Sequence, residues 1–223
     1  MDCDRIARAY GWIEYLSFGR ELERRRFRHI PHVADACHAL ILGGGDGRFL
    51  ARLMRQNPRA RAEYVDCSPR MLSLARSRAG GDRVSYRLSD ARALPLAPES
   101  FDLIVTNFFL DCFDEADAAE VVERAARAAC PRARWLVAEF RPVPWAGFLL
   151  RGLYLFFRVT TGLKTRRLVN HRTLLARHGF HLEHEERSWF GWLTSELWRR
   201  DPGVLVSGHG FKPCRSGVCQ PRV

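Results

Sequence analysis

The chain reads as an α/β protein, a mostly parallel sheet with helices on both faces. Three observations predict this. Short apolar runs alternate with helix-period segments from residue 38 to 140. The first run enters a glycine-rich turn, Gly43-Gly44-Gly45-Asp46-Gly47, which leads straight into a helical pattern. Acids then stand just beyond the next two runs, at Asp66 and Asp90. Strand–helix alternation builds right-handed crossovers and a parallel sheet, and ligands of such sheets sit outside the carboxyl ends of the strands.

The elements follow in order. Residues 4–29 read as helical, with Ile6, Tyr10, Ile13 and Leu16 on one apolar face. The spacing predicts a strand over 38–42, a helix over 47–56, a strand over 61–66 and a helix over 69–78. Strands over 83–88 and 101–107, a helix over 114–129 and a strand over 133–140 come next. A helix over 172–178 stops at Gly179, and strands over 181–188 and 191–198 complete a set of seven. Residues 143–163 are apolar and aromatic over about one bilayer width, but Arg151 and Arg158 interrupt them. Arginine at mid-bilayer costs about 2.5–3.5 kcal/mol, so the segment reads as a lid over the substrate, an interfacial helix or a buried helix. The expected organisation is N-terminal helices over 1–34 as part of a substrate cap, a main domain over 35–200 with an apolar lid insertion at 143–170, and a disordered tail over 201–223.

At 223 residues the chain fits one domain with a full core. The net charge of +11 is almost entirely arginine, since Lys164 and Lys212 are the only lysines. A solvated basic surface explains it, as does a surface for anionic membranes, acidic partners or nucleic acid. No N-terminal signal is visible, and Cys37, Cys67, Cys112 and Cys130 fall among core elements, so reduced thiols in a cytoplasmic protein are expected. Cys214 and Cys219 lack the histidine partners of a zinc site, and no metal is expected.

Gly43, Gly45 and Gly47 allow a tight turn and close approach of a ligand. Free N–H groups at the following helix start favour its polar groups. An acid about 20 residues beyond such a turn grips ribose hydroxyls in nucleotide-binding α/β folds, and Asp66 stands there. The series Gly43-x-Gly45-x-Gly47, Val65-Asp66-Cys67-Ser68-Pro69-x-Met71-Leu72, Asp90-Ala91-x-x-Leu94-Pro95 and Phe101-Asp102-Leu103-Ile104-Val105 resembles the class I S-adenosylmethionine-dependent methyltransferases, especially their small-molecule branch, over roughly residues 35–200. A dinucleotide fingerprint would need glycine where Arg48 stands. Tyr154-x-x-Phe157, Gly162 and His178-Gly179-Phe180 are loosely similar to ubiquinone and menaquinone C-methyltransferases.

The resemblance implies a Rossmann-like sheet with one antiparallel strand from the terminal hairpin, and S-adenosyl-L-methionine as cofactor. It implies that Gly43, Gly45 and Gly47 line the methionine part, that Asp66 with Cys67 borders the ribose, and that Asp90 and Ala91 border the adenine. Asn107 and Phe108 would face the methyl group. The family usually places an acid where Ile41 stands, and Asp46 is the candidate to compensate. In-line methyl transfer depends on position and environment rather than on a fixed triad. Asp111 and His171 are the candidate general bases, with Glu139 a third. Asp102 reads as structural, and His29 and His32 as surface residues.

An apolar lid and a basic surface suit a small lipophilic acceptor, quinone-like or isoprenoid, with contact to a membrane surface. Two alternatives stand beside this. A nucleic-acid methyltransferase would suit the charge, but Asn107-Phe108-Phe109 lacks the prolines that base-modifying relatives carry there. A non-catalytic partner protein with this fold would suit Ile41.

Overall fold

The computed structural model describes residues 20–141, 169–188 and 191–202. Most of the N-terminal helix, the lid segment, the tail, and Cys3, Cys214 and Cys219 lie outside the described residues. Seven strands form one sheet: β1 His38–Leu42, β2 Arg61–Asp66, β3 Val84–Leu88, β4 Phe101–Asn107, β5 Ala129–Phe140, β6 Phe180–Arg187 and β7 Leu193–Arg200. Their order is β3-β2-β1-β4-β5-β7-β6. β1 to β5 pair in parallel, and β7 runs antiparallel to both β5 and β6. The single antiparallel strand is therefore β7. Strand order reverses between β1 and β4, which opens a crevice beyond their carboxyl ends.

Local chemistry sets the helix limits. α1 is Arg20–Phe27 and α2 is Arg48–Gln56. Gly47 precedes α2 at φ +83°, and Phe49, Leu50, Leu53 and Met54 face inward. α3, Pro69–Ala79, starts where the Ser68 hydroxyl accepts the Met71 N–H and proline takes the first position. α4, Glu115–Ala128, is capped by Asp114, and its first-turn acids Glu115 and Asp117 suit the helix dipole. α5, His171–Arg177, is capped by Asn170.

One core lies between the sheet and α4 with α5, around Leu40, Leu42, Val121, Trp135 and Leu175. The other lies on the opposite face around Ile41, Leu50, Leu53, Tyr64 and Leu103. A third, small cluster joins Leu22 of α1 to Phe108, Ala138 and Leu193. Asp102 accepts the backbone N–H groups of Cys37 and His38, each at 2.8 Å, and so fixes the entry to β1 as a structural residue.

Three expectations need correction. β5 begins at Ala129 instead of Ala133, because Ala129 pairs with Phe101 across a β-bulge while Arg132 takes φ +63°. His29 is buried, held through its ring by the Ser195 carbonyl, whereas His32 is exposed as expected. Cys37, Cys67 and Cys130 are disulfide-bonded, and Cys112 is the free thiol among the described residues. The bonded cysteines sit just before β1, just after β2 and at the start of β5. The cysteine argument for a cytoplasmic location is thereby lost. Among the described residues no helix is long and apolar enough to cross a membrane.

Candidate active site

The crevice at the strand-order reversal is a cavity of ≈ 230 Å³. Its floor is the turn after β1. Gly43 (φ +60°) and Gly45 (φ +67°) both take left-handed backbone, which glycine adopts without strain. The Tyr64 hydroxyl donates to the Gly45 carbonyl at 2.8 Å and ties the turn to β2. A side chain at Gly43 would strike the Phe109 ring within 1.9 Å, so that ring lies directly on the glycine.

Asp66, the last residue of β2, points its carboxylate at the same turn. It accepts the Ser68 N–H at 2.9 Å and the Gly45 N–H at 3.3 Å. Burial raises its carboxyl above the usual range, against the pull of the Ser68, Gly45 and Cys67 amides. It faces the cavity as an acceptor for hydroxyl groups. Asp46 is engaged differently. Burial would raise its carboxyl, but Arg78 and Arg48 outweigh that and hold it low. Asp90 caps the short turn Ala91–Ala93 and pairs with Arg92, whose hydrogen bond holds the carboxyl below the usual range.

Gly43, Gly45, Asp46, Asp66, Cys67, Asp90, Ala91, Asn107 and Phe108 all line the cavity. Gly47 does not. Its Cα packs on α3, where a Cβ would meet the Ala75 Cα at 2.4 Å. The two candidate bases also lie off the cavity wall. Asp111 and Glu139 face each other behind it, both pushed up by burial. His171 donates its ring N–H to Glu196 at 3.0 Å, inside the α5–β7 packing. Ile41 is buried in β1 with no acid beside it on that strand.

Phe109, Cys112, Phe113, Met71 and Arg26 also line the cavity, and sequence reasoning missed them. A φ of +52° at Phe108 turns the next ring back onto Gly43. The apolar run 108–110 is the available signal, and it reads equally well as the end of a strand. Arg26 reaches the site from α1, with its guanidinium 5.1 Å from the Phe108 ring centre.

A glycine turn, an acid at the end of β2 and a crevice at the strand-order reversal define a nucleotide-cofactor-binding α/β protein. Residues 39–132 match the family model described as a methyltransferase domain. The malonyl-[acyl-carrier protein] O-methyltransferase of Methylococcus capsulatus is 34% identical over 115 residues, 51% of this chain and 42% of that protein. A ubiquinone/menaquinone biosynthesis C-methyltransferase of Desulfotalea psychrophila is 29% identical over 142 residues, 62% of this chain and 56% of that protein. The matches span about half the length of these relatives. The fold is shared with an S-adenosylmethionine-dependent methyltransferase from Mesorhizobium loti, at TM-score 0.63 and 21% identity over 80% of this chain and 98% of that one. It is shared too with the N-methyltransferase NodS from Bradyrhizobium japonicum, solved with S-adenosyl-L-homocysteine, at TM-score 0.61 and 17% identity over 80% and 87%. Residues 39–132 thus carry a methyltransferase domain, and the fold is the one shared by S-adenosylmethionine-dependent methyltransferases.

The residues present fit that cofactor. A glycine cradle admits close backbone approach, and Asp66 offers a half-buried carboxylate that could take a ribose diol. The cavity is smaller than the roughly 300–1,000 Å³ usual for ligand pockets, and the Phe109 ring takes up part of the space over Gly43.

Proposed function

We propose that the chain methylates a small lipophilic acceptor, quinone-like or isoprenoid. The observation that carries this reading is the aromatic wall facing the glycine cradle. Phe108, Phe109 and Phe113 line the cavity. The wall continues through Phe140, 5.2 Å from Phe108 between ring centres, to Trp192, 6.5 Å further on. Such a surface gains by burying an apolar acceptor and excludes water from it. The quinone C-methyltransferase names of several relatives support the same class, and contact with a membrane surface would serve its delivery.

The cofactor supplies an activated sulfonium methyl. The chain's residues bind and orient: the Gly43–Gly45 backbone for the methionine part, Asp66 for the ribose, Asp90 and Ala91 for the adenine, Asn107 and Phe108 at the methyl. Position of this kind is the main contribution a protein makes to an in-line displacement.

Thermal unfolding with and without S-adenosylhomocysteine tests the site. Ligand at 100 times its dissociation constant adds about 2.7 kcal/mol, or roughly 5–10 °C for a chain this size. The shift is expected in the wild type and lost in Asp66→Ala. A turnover screen follows, with quinones, acyl-chain carboxylates and RNA as acceptors. Methylation of RNA alone would overturn the acceptor class.

A second reading, a non-catalytic partner protein, is favoured by one observation. Ile41 offers no charge to the methionine amino group, and Asp46 is already held by Arg48 and Arg78. Absence of any shift at millimolar ligand would decide for it.

A further inference from the structure

Glu139, near the end of β5, is fully buried. Its Oε1 accepts the N–H groups of Phe109 at 3.2 Å and Leu110 at 3.0 Å. Those amides belong to the turn after β4, where Phe108 sits at φ +52°, a conformation that persists in a bulky residue only when its surroundings impose it. The Phe108 N–H is itself bound to the Ala138 carbonyl at 2.6 Å. β5 thus holds the turn by three consecutive amides, and the turn in turn lays Phe109 on Gly43.

Among the described residues, the side chain that acts on the rest of the Glu139 carboxyl is Asp111. Glu139 Oε2 and Asp111 Oδ2 are both buried and, among the described residues, without a donor. The two carboxyls are neighbours, each acting directly on the other. Among the described residues no arginine or lysine pairs with either. The groups facing the pair are the Cys112 thiol from the same turn, His171 from α5 with its ring committed to Glu196 of β7, and the Phe140 amide of β5. Asp66 lies beyond Cys112, which feels all three acids. Two buried carboxylates so placed cannot both ionise cheaply, and one proton between them satisfies both orphaned oxygens.

We propose that Asp111 and Glu139 hold a single shared proton and that Glu139 is a positioning residue, setting the Asn107–Cys112 turn against the glycine cradle that receives the cofactor. This rests on the cofactor assignment above.

The test is calorimetric binding of S-adenosylhomocysteine from about pH 6 to 9, by the wild type, Asp111→Asn, Glu139→Gln and Glu139→Ala. Wild-type affinity is expected to fall roughly tenfold or more, about 1.4 kcal/mol, as the pair loses its last proton. The Asp111→Asn amide always donates to Glu139, so its affinity should stay flat across the range. Glu139→Gln keeps an acceptor for both turn amides and a donor for Asp111, and should bind near the wild-type level. Glu139→Ala, confirmed folded by its circular dichroism, should bind about tenfold more weakly or worse. Unchanged binding in Glu139→Ala, or a wild-type pH dependence surviving in Asp111→Asn, overturns the proposal.

A readout without ligand separates this from failure of the cofactor assignment. Carboxyl-carbon NMR should find one proton on the pair at neutral pH, and amide exchange at Phe109 and Leu110 should quicken in Glu139→Ala but not in Glu139→Gln. Two ionised carboxyls at neutral pH, or equal exchange in both variants, refutes the pair even if the wild type never binds cofactor.

Discussion

Glu139 and Glu196 face the same side of the sheet on adjacent strands, for Glu139 pairs opposite Thr194 and Glu196 opposite Val137. Both are fully buried, yet they titrate in opposite directions. Glu196 accepts from His171, Arg172, Thr194 and Trp198. Burial pushes its carboxyl up, but His171 and Arg172 outweigh burial and hold it at about 2. Glu139 has backbone amides and a second acid, and burial with Asp111 raises it well above the usual range. Burial sets the penalty for charge, and the partners decide which protonation state bears it. Glu196 fastens α5 to β7. Glu139 sits beside the cavity without a cationic partner among the described residues, as perturbed groups at functional sites often do.

The largest expected effect is on the paired side. Glu196→Ala leaves buried His171 without its carboxylate and Arg172 with Glu185 alone, and removing one partner of a buried pair costs about 3–5 kcal/mol. Chemical denaturation would measure it, and a loss under about 1 kcal/mol would break the contrast. Acid should reveal the same pairing. The folded value of Glu196, about 2, lies below its ordinary 4.5, so its stabilisation is present above pH 4.5 and lost as pH falls toward 2. Glu196→Gln should flatten that part of the stability–pH curve.

The sign reverses for the unpaired side. A carboxyl raised in the folded state contributes stability below its unfolded value, and loses it as pH rises through the folded one. Asp111→Asn removes that loss, so near pH 8 the variant should be more stable than wild type by about 1–2 kcal/mol. A variant less stable than wild type at pH 8 would mean that Asp111 has a cationic partner. The smallest effect sharpens the scale. Arg124 and Glu120 form an exposed i,i+4 pair on α4, and Arg124→Ala should cost only about 0.3–0.5 kcal/mol, near the limit of denaturation curves.

Much of the site was legible because its geometry is local. The turn Gly43–Gly45 and the acids Asp66 and Asp90 stand at strand ends, and a parallel strand end is visible where an apolar run meets a turn. Gly47 was misread for a related reason. Its left-handed φ is real, but what crowds it is Ala75 of α3, more than one element away. Phe109 was missed because ring direction follows from φ at Phe108, and no side-chain pattern announces a positive φ in phenylalanine. Asp111 stands one turn beyond Asn107 and His171 begins the helix after the lid, which made them the candidate bases. The fold puts one against Glu139 and the other against Glu196, and neither candidate base lines the cavity.

By itself the sequence determined the alternation of strands and helices, the glycine turn and the acid at the end of β2. These depend on neighbours a few residues apart, where backbone sterics and hydrophobic period are already decisive. Only the tertiary structure decided which buried acids received partners. His171 stands 25 residues from Glu196 and meets it across the α5–β7 packing. Asp111 meets Glu139 because β4 and β5 pair in register. Charge balance in an interior is a property of such distant meetings, so two glutamates of similar burial could take opposite roles.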